Sequence, residues 1–328
     1  MNYGLPYKGS KNKIAEWVVS HFPHKAHFYD LCAGGCAVTH CAMLQNKFET
    51  YTVNDVLDIP RLFVDAINGK YKNETRWISR EDFFRLKDTD PYIKTCWSFG
   101  NDGKTYLYSR EIEPYKRACH FAIVFDQWEE LKNLCPEIVS ACQNALKDKT
   151  DIKQRRIAFG PAVVKELKRL NDWNLVQNNL LYKSCHWRKN GLKEKHVDLQ
   201  SLESLQSLQS LQSLERLERK LTITNGSYEE YVYKEGDVVY CDPPYEGTSD
   251  YSEHGAGAFD SQRFYDWALS QPYTIYISSY ELPPAFTLIK EIPKISSFGN
   301  NHTITERLYT NKNTGRSWMR QMYFDFGD

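Results

Sequence analysis

Val238-Val239-Tyr240-Cys241-Asp242-Pro243-Pro244-Tyr245 reads as a short buried strand that runs into a rigid turn. Four apolar residues in succession suit a buried strand. Each proline fixes φ and lacks an N–H, so the chain leaves the strand extended, with a carbonyl not committed to a ladder. The Asp242 carboxylate and the Pro243 carbonyl are both acceptors, and Tyr245 places an aromatic face beside them. Acceptors next to a π-face suit a planar heterocycle carrying an amino group, such as an adenine or cytosine drawn out of a base stack. Asp-Pro-Pro is also ordinary strand-end turn chemistry, so the rest of the chain has to supply the context.

A second strand-and-turn lies upstream. Phe28-Tyr29-Asp30-Leu31-Cys32-Ala33-Gly34-Gly35-Cys36-Ala37-Val38 predicts a strand, a glycine turn and a helix through about Leu44. Gly34 and Gly35 let a ligand approach the backbone, and the helix start presents free N–H groups. Tyr51-Thr52-Val53 predicts the next strand, with Asn54-Asp55 at its end and a helix from about Pro60. Asp55 follows Asp30 by 25 positions, near the roughly 20-residue offset at which a βαβ unit sets a carboxylate against ribose hydroxyls. Nucleoside binding is the natural expectation, with a structural βαβ turn as the alternative. The glycines do not form G-x-G-x-x-G, which disfavours a dinucleotide. Before them, Tyr7-Lys8-Gly9-Ser10-Lys11-Asn12-Lys13 is a polar segment leading into a helix that has Ile14, Trp17, Val18 and His21 on one face and is closed by Pro23.

At 328 residues and 41% hydrophobic content, with 22 tyrosines and 8 tryptophans, the chain can bury a substantial core. Its nine cysteines include no C-x-x-C pair, which argues against a zinc site and a disulfide framework, and Cys32, Cys36 and Cys41 read as small packing residues. No metal is expected. Without an apolar signal core or a membrane-length apolar run, a cytoplasmic protein is expected. The net charge of zero is unevenly divided: residues 151–195 hold eleven Lys/Arg against four Asp/Glu, and residues 225–328 hold eight against fifteen. The basic middle is a candidate phosphate-binding face, or else a solvated helix surface.

Residues 75–150 read as mainly helical, interrupted at Cys96–Gly103 by an aromatic, glycine-rich loop. Pro161 is expected to start a helix through Leu170, followed by basic and aromatic sequence around Trp173 and Trp187 that suits nucleic acid. Leu199, Leu202, Leu205, Leu208, Leu211, Leu214 and Leu217 recur every third residue. On an α-helix this spacing drifts and makes no fixed stripe, and a 3₁₀ helix that would align it is rarely so long. A helical or irregular spacer born of repeat expansion is expected. Gly247–Gly257 reads as a loop able to close over a substrate, Asp260 as the cap of a helix through Leu269, and residues 274–278 and 322–324 as strands. One α/β sheet interrupted by a second region follows.

In this order the segments resemble the Dam-type, N6-adenine-specific DNA methyltransferases over almost the whole chain. The likeness lies in Tyr7–Lys11, Asp30–Val38, Asn54-Asp55, Asp242–Tyr245, the flanks Phe259–Trp267 and Ile275–Ser279 and, more loosely, Phe99-Gly100-Asn101. Cys32 stands where that family commonly has phenylalanine. The resemblance implies an α/β Rossmann-like sheet with a mainly helical target-recognition insertion. Residues 1–75 would hold the cofactor, 76–224 would form the insertion with its repeat at 199–221, and 225–328 would complete the catalytic domain. It implies S-adenosylmethionine, held by Tyr7, Lys11, Asp30, Cys32, Gly34, Gly35, Asp55 and Asp242. Asp242, Pro243, Pro244 and Tyr245 would act on a flipped adenine. Double-stranded DNA would meet Phe99, Asn101, Arg155, Arg156, Lys165, Lys168, Arg169, Arg188 and Lys189, and a separately encoded restriction endonuclease is a possible counterpart. The rivals are methyl transfer to cytosine, RNA or a protein amide, a nucleotide-dependent oxidoreductase, and a catalytically silent DNA-binding module.

Overall fold

The computed structural model describes residues 3–7, 9–169, 185–187, 195–197, 199–231, 233–234, 236–245, 259–295 and 303–312. The expected loop at 247–257, strand at 322–324 and basic residues Arg188 and Lys189 lie outside the described residues. Two compact units divide the chain, one of residues 1–5, 9–68 and 211–328, the other of residues 6–8 and 69–210.

The first unit is built on a seven-stranded sheet. Its strands are β1 (Lys25–Asp30), β2 (Phe48–Asn54), β5 (Leu221–Thr224), β6 (Val238–Cys241), β7 (Ile275–Ser279), β8 (Thr287–Ile295) and β9 (Thr303–Thr310), in the spatial order β5-β2-β1-β6-β7-β9-β8. The first five in that order run parallel; β9 is antiparallel to both β7 and β8. All four residues of β6 and all five of β7 are buried, as strands covered on both faces require. Helices α1 (Ala15–Ser20), α2 (Ala37–Leu44), α3 (Ile59–Ile67) and α11 (Ser261–Ser270) complete this unit, the last capped by Asp260, which accepts from the Arg263 N–H at 2.9 Å.

The order matters for function. From β1 the sheet grows one way through β2 and the other way through β6, so the carboxyl ends of β1 and β6 flank the point where strand order reverses. In open α/β sheets the ligand crevice forms there. The turn after β1 is tied to both neighbours: Leu31 N–H donates to the Tyr240 carbonyl at 3.0 Å and Ala33 N–H to the Asn54 carbonyl at 2.9 Å.

The second unit contains α4 (Arg80–Leu86), α5 (Pro91–Cys96), α6 (Glu113–Phe125), α7 (Glu129–Leu134), α8 (Pro136–Leu146), α9 (Ile152–Arg169), α10 (Gln200–Ser210) and a small hairpin, β3 (Cys185–Trp187) with β4 (Lys195–Val197). Its core gathers Ala122, Ile138, Cys142, Phe159, Val163 and Leu202 from four of these helices.

Two sequence expectations are corrected. Pro161 lies inside α9 instead of opening it. Gly160 precedes it, and with no Cβ to meet the proline ring the helix can pass through the site. The leucine repeat is core, not spacer: Leu199, Leu202, Leu205, Leu208, Leu211 and Leu214 are all buried. Residues 200–210 are α-helical, where the drifting leucines spread over a broad buried face shared with Ser201 and Ser204. From Leu211 to Lys220 the chain is a 3₁₀ helix, whose three-residue turn brings every third side chain back to one side. Residues 211–224, assigned from sequence to the insertion, group with the sheet unit, where β5 is the edge strand against β2.

Candidate active site

Asp30 ends β1 and is buried, one carboxylate oxygen accepting from the Thr39 hydroxyl at 2.7 Å and the other, Oδ1, meeting no hydrogen-bond partner. Burial pushes its carboxyl up to about 7, with the Thr39 bond opposing. The chain then turns through Gly34, at φ +46°, into α2. Gly34 N–H donates to Asp55 Oδ2 at 2.8 Å, and Leu57 N–H to Asp55 Oδ1 at 2.9 Å. Burial lifts Asp55 to about 6 against those two bonds. The Gly35 carbonyl accepts from Leu5 N–H at 2.7 Å. Gly4, at φ +69°, lies so close that a Cβ there would meet the Gly35 carbonyl and come within 2.7 Å of the Ala37 nitrogen. Its N–H donates to His40 Nδ1 at 2.8 Å, which fastens the N-terminal segment to α2. Cys32 is half-buried, and contact with Cys241, then burial, push its thiol well up.

Asn54 closes this side. Its amide donates to the Leu31 and Gly226 carbonyls, both at 3.0 Å, and its oxygen accepts from the Tyr231 hydroxyl at 2.6 Å and Gly226 N–H at 3.1 Å. Asn54 thus acts as a clip between the ends of β1, β2 and β5, while Asp55 reaches the glycine turn.

On the other side stands Asp242, one residue past β6. Lys11 Nζ lies 2.7 Å from Asp242 Oδ1 and 3.6 Å from Glu306 Oε1. The Tyr245 hydroxyl donates to Glu306 Oε1, and Lys11 Nζ sits 4.7 Å from the centroid of the Tyr245 ring. Tyr280 packs edge-on against the same ring at 4.5 Å. Burial draws Lys11 down, but Asp242 and Glu306 more than offset it and hold the ammonium above its usual range. Burial raises Asp242, Lys11 opposes, and Glu306 adds to the rise. Pro243 is buried and Pro244 half-buried.

Glu306 escaped the sequence reading, although a signal existed. Ile304, Glu306, Leu308 and Thr310 alternate along β9 on one face, and a carboxylate in the middle of such a face needs partners. Tyr7 is half-buried and belongs to the short 6–8 stretch that groups with the second unit.

The carboxylates of Asp30 and Asp55 and the close backbone of the glycine turn fit a nucleoside cofactor that carries cationic groups. The buried, unpartnered Asp30 oxygen calls for an N–H donor, and Asp55 retains lone pairs for hydroxyls. Among the described residues no group of three or more His, Cys, Asp or Glu is arranged to hold a metal ion, and no helix is long and apolar enough to cross a membrane.

In the second unit, Phe99 and Asn101 form a short 3₁₀ turn after α5. Phe99 is 62% exposed, while the Asn101 amide donates to the Thr95 carbonyl at 2.9 Å. Lys165 and Lys168 are exposed on α9. Arg169 is exposed and pairs with Glu166 at 2.7 Å. Arg156 donates to Gln206 at 2.9 Å and pairs with Glu203. Arg155 gives its guanidinium to backbone carbonyls at the end of α6 and to Asp126.

Among solved structures the chain is similar to a candidate RNA methyltransferase from Pyrococcus horikoshii, at 15% identity over 35% of this chain and 59% of that one, with a TM-score of 0.21. It is also similar to a candidate methylase from Haemophilus influenzae, at 11% identity over 94% and 91% with a TM-score of 0.26. A third is a candidate methyltransferase complexed with SAH, at 9% identity over 90% and 51% with a TM-score of 0.28. No curated protein matches the sequence. Residues 7–144 match the family model of D12 class N6 adenine-specific DNA methyltransferases.

Proposed function

We propose that the protein is a site-specific DNA methyltransferase that moves the methyl group of S-adenosylmethionine to the N6 amino group of an adenine flipped out of duplex DNA. The observation that carries this reading is the pair of Asp242 with the buried Lys11 at the end of β6, with Tyr245 beside it, across the sheet's switch point from the Asp30 turn.

An exocyclic amino group is a weak nucleophile because its lone pair is delocalised into the ring. The Asp242 carboxylate and the Pro243 carbonyl accept its two N–H bonds, which favours a pyramidal nitrogen with the lone pair free for attack. Tyr245 stacks on the extruded base. When bound, S-adenosylmethionine supplies a methyl group already activated on a sulfonium. Asp30 accepts from its ammonium end, Asp55 from ribose hydroxyls, and Gly34 and Gly35 allow the backbone to come close. The protein's contribution is alignment and electrostatics. Lys11 keeps Asp242 ionised and oriented. Phosphates fall to Lys165, Lys168 and Arg169, with Phe99 against a base, and Arg188 and Lys189 are proposed alongside them. A separately encoded restriction endonuclease remains part of the proposal, as the activity that such a modification would block.

The test is incubation with unmethylated duplex DNA and labelled S-adenosylmethionine, followed by digestion to nucleosides. Label in N6-methyldeoxyadenosine, lost in Asp242→Ala, is the expected result. Label on cytosine, or none although the cofactor binds, overturns the reading.

A further inference from the structure

We propose that Glu306 is a positioning residue for the methyl acceptor, fixing Tyr245 and Lys11 and supplying the negative charge that the Asp242 site retains after Lys11 is counted. The inference rests on the acceptor role proposed for Asp242.

Glu306 comes from β9, which reaches the site from the antiparallel side of the sheet, beyond β7. It is 0% exposed, like Leu308 and Thr310 two and four residues further along the same face. An ionised carboxylate in such a place is costly unless charges and donors surround it. Its Oε1 receives the Tyr245 hydroxyl and faces Lys11 Nζ at 3.6 Å. Tyr245 is therefore held at its hydroxyl by Glu306, on its ring by Lys11 and at its edge by Tyr280. A ring so held presents one fixed surface to a base, and fixed geometry is what an aligned displacement needs.

The charge count gives Glu306 its second role. Lys11 alone would neutralise Asp242; among the described residues Glu306 makes the cluster two carboxylates around one ammonium. As the N6 lone pair forms the new N–C bond, the C–S bond breaks and its electron pair stays on sulfur. N6 then carries positive charge until one of its protons passes to Asp242 and from there to solvent. A cluster of net negative charge stabilises that developing cation, whereas a neutral Lys–Asp pair does so far less. Among the described residues, the groups that face Asp242 are Lys11, Glu306, Tyr245, Tyr240 and, more weakly, Asp30, Asp55, Cys32 and Tyr280.

The experiment compares wild type, Glu306→Gln and Glu306→Ala in single-turnover methyl transfer from pH 5 to 9. Calorimetric binding of S-adenosylmethionine and thermal melting are measured on the same preparations. Glu306→Gln keeps an oxygen for the Tyr245 hydroxyl and removes the charge. It is expected to slow the chemical step by roughly 10- to 100-fold, leave cofactor affinity within about twofold, and move the acidic limb of the rate profile to lower pH because Glu306 no longer raises Asp242. Glu306→Ala also frees Tyr245 and is expected to raise the KM for DNA. A Glu306→Gln enzyme with wild-type rate, or one slowed with no movement of the acidic limb, overturns the proposal while leaving the function intact. Wild type that methylates no adenine removes the acceptor reading and this inference with it.

Discussion

The N–H of Gly34 donates to the carboxylate of Asp55 at 2.8 Å, so the turn that follows β1 is fastened to the turn that follows β2. Asp55 therefore has two tasks, holding the glycine turn and facing the proposed ribose. The two separate by substitution. Asp55→Asn keeps an oxygen for one N–H and loses the charge; its affinity for S-adenosylmethionine is expected to fall about 10- to 100-fold, the worth of a charge-assisted bond. Asp55→Ala leaves both Gly34 N–H and Leu57 N–H without their acceptor and is expected to cost about 1–3 kcal/mol of stability as well. Calorimetry and chemical denaturation on the two variants check this.

If Asp30 meets the cationic end of the proposed cofactor, cofactor binding should depend on pH. Burial holds its carboxyl at about 7 and that of Asp55 at about 6, both above the usual 3.8. A carboxyl raised in the folded state takes up its proton before the unfolded chain does. The cofactor-free fold therefore gains stability from these groups as pH falls from about 7 towards 3.8, and lacks that gain above it. A cationic ligand favours the ionised form, so binding should release protons and tighten as pH rises through 6 to 7. Titrations in buffers of different ionisation enthalpy measure the released protons. Asp30→Asn should bind more weakly and lose most of the pH dependence; an affinity that stays constant from pH 5 to 8 in wild type would refute the assignment.

Much of this site was legible because Asp30, Asp55 and Asp242 each stand at or just beyond a strand end, two of them next to a glycine or proline turn, and that local pattern is written in consecutive residues. Glu306 was not, because its partners Lys11 and Tyr245 lie far away in sequence and only the sheet brings them together. The β8–β9 pair went unread for a related reason. Pro293 lies within β8, which among the described residues pairs only with β9 and sits at the sheet edge, where a proline is tolerated. Arg307 reaches Glu291 across the pair, so charged side chains break the apolar alternation that would have marked the strands. The basic middle was visible as composition, but composition could not tell Arg155, which closes a helix, from Lys165, which faces solvent.

The leucine repeat offers a stability test. Leu202 is 1% exposed and packs in the core of the helical unit. Leu202→Ala is expected to destabilise that unit by about 2–5 kcal/mol. Glu215→Gln, exposed on the 3₁₀ stretch, should stay within about 0.5 kcal/mol. A mere spacer would respond little to either change. Urea denaturation followed by circular dichroism distinguishes the two.

Arg155 and the lysines of α9 should part company when salt is varied. Arg155 Nε donates to the Ile123 carbonyl at 2.6 Å, and Nη2 to the Ala122 carbonyl at 2.9 Å and to Asp126 at 2.8 Å. These carbonyls belong to the last turn of α6, where the helix has no N–H of its own to offer them. A guanidinium committed in this way is a helix cap, and removing it leaves buried acceptors unmet. Arg155→Ala is expected to cost about 1.5–3 kcal/mol of stability, with the salt dependence of DNA binding unchanged in folded protein. Lys165 and Lys168 are exposed on the same helix. If they meet phosphates, each substitution by alanine weakens binding across sequences and lowers the slope of log K against log salt by about 1. Fluorescence anisotropy with a duplex at several salt concentrations reads that slope directly. A slope that falls in Arg155→Ala and holds in both lysine variants would exchange the two roles.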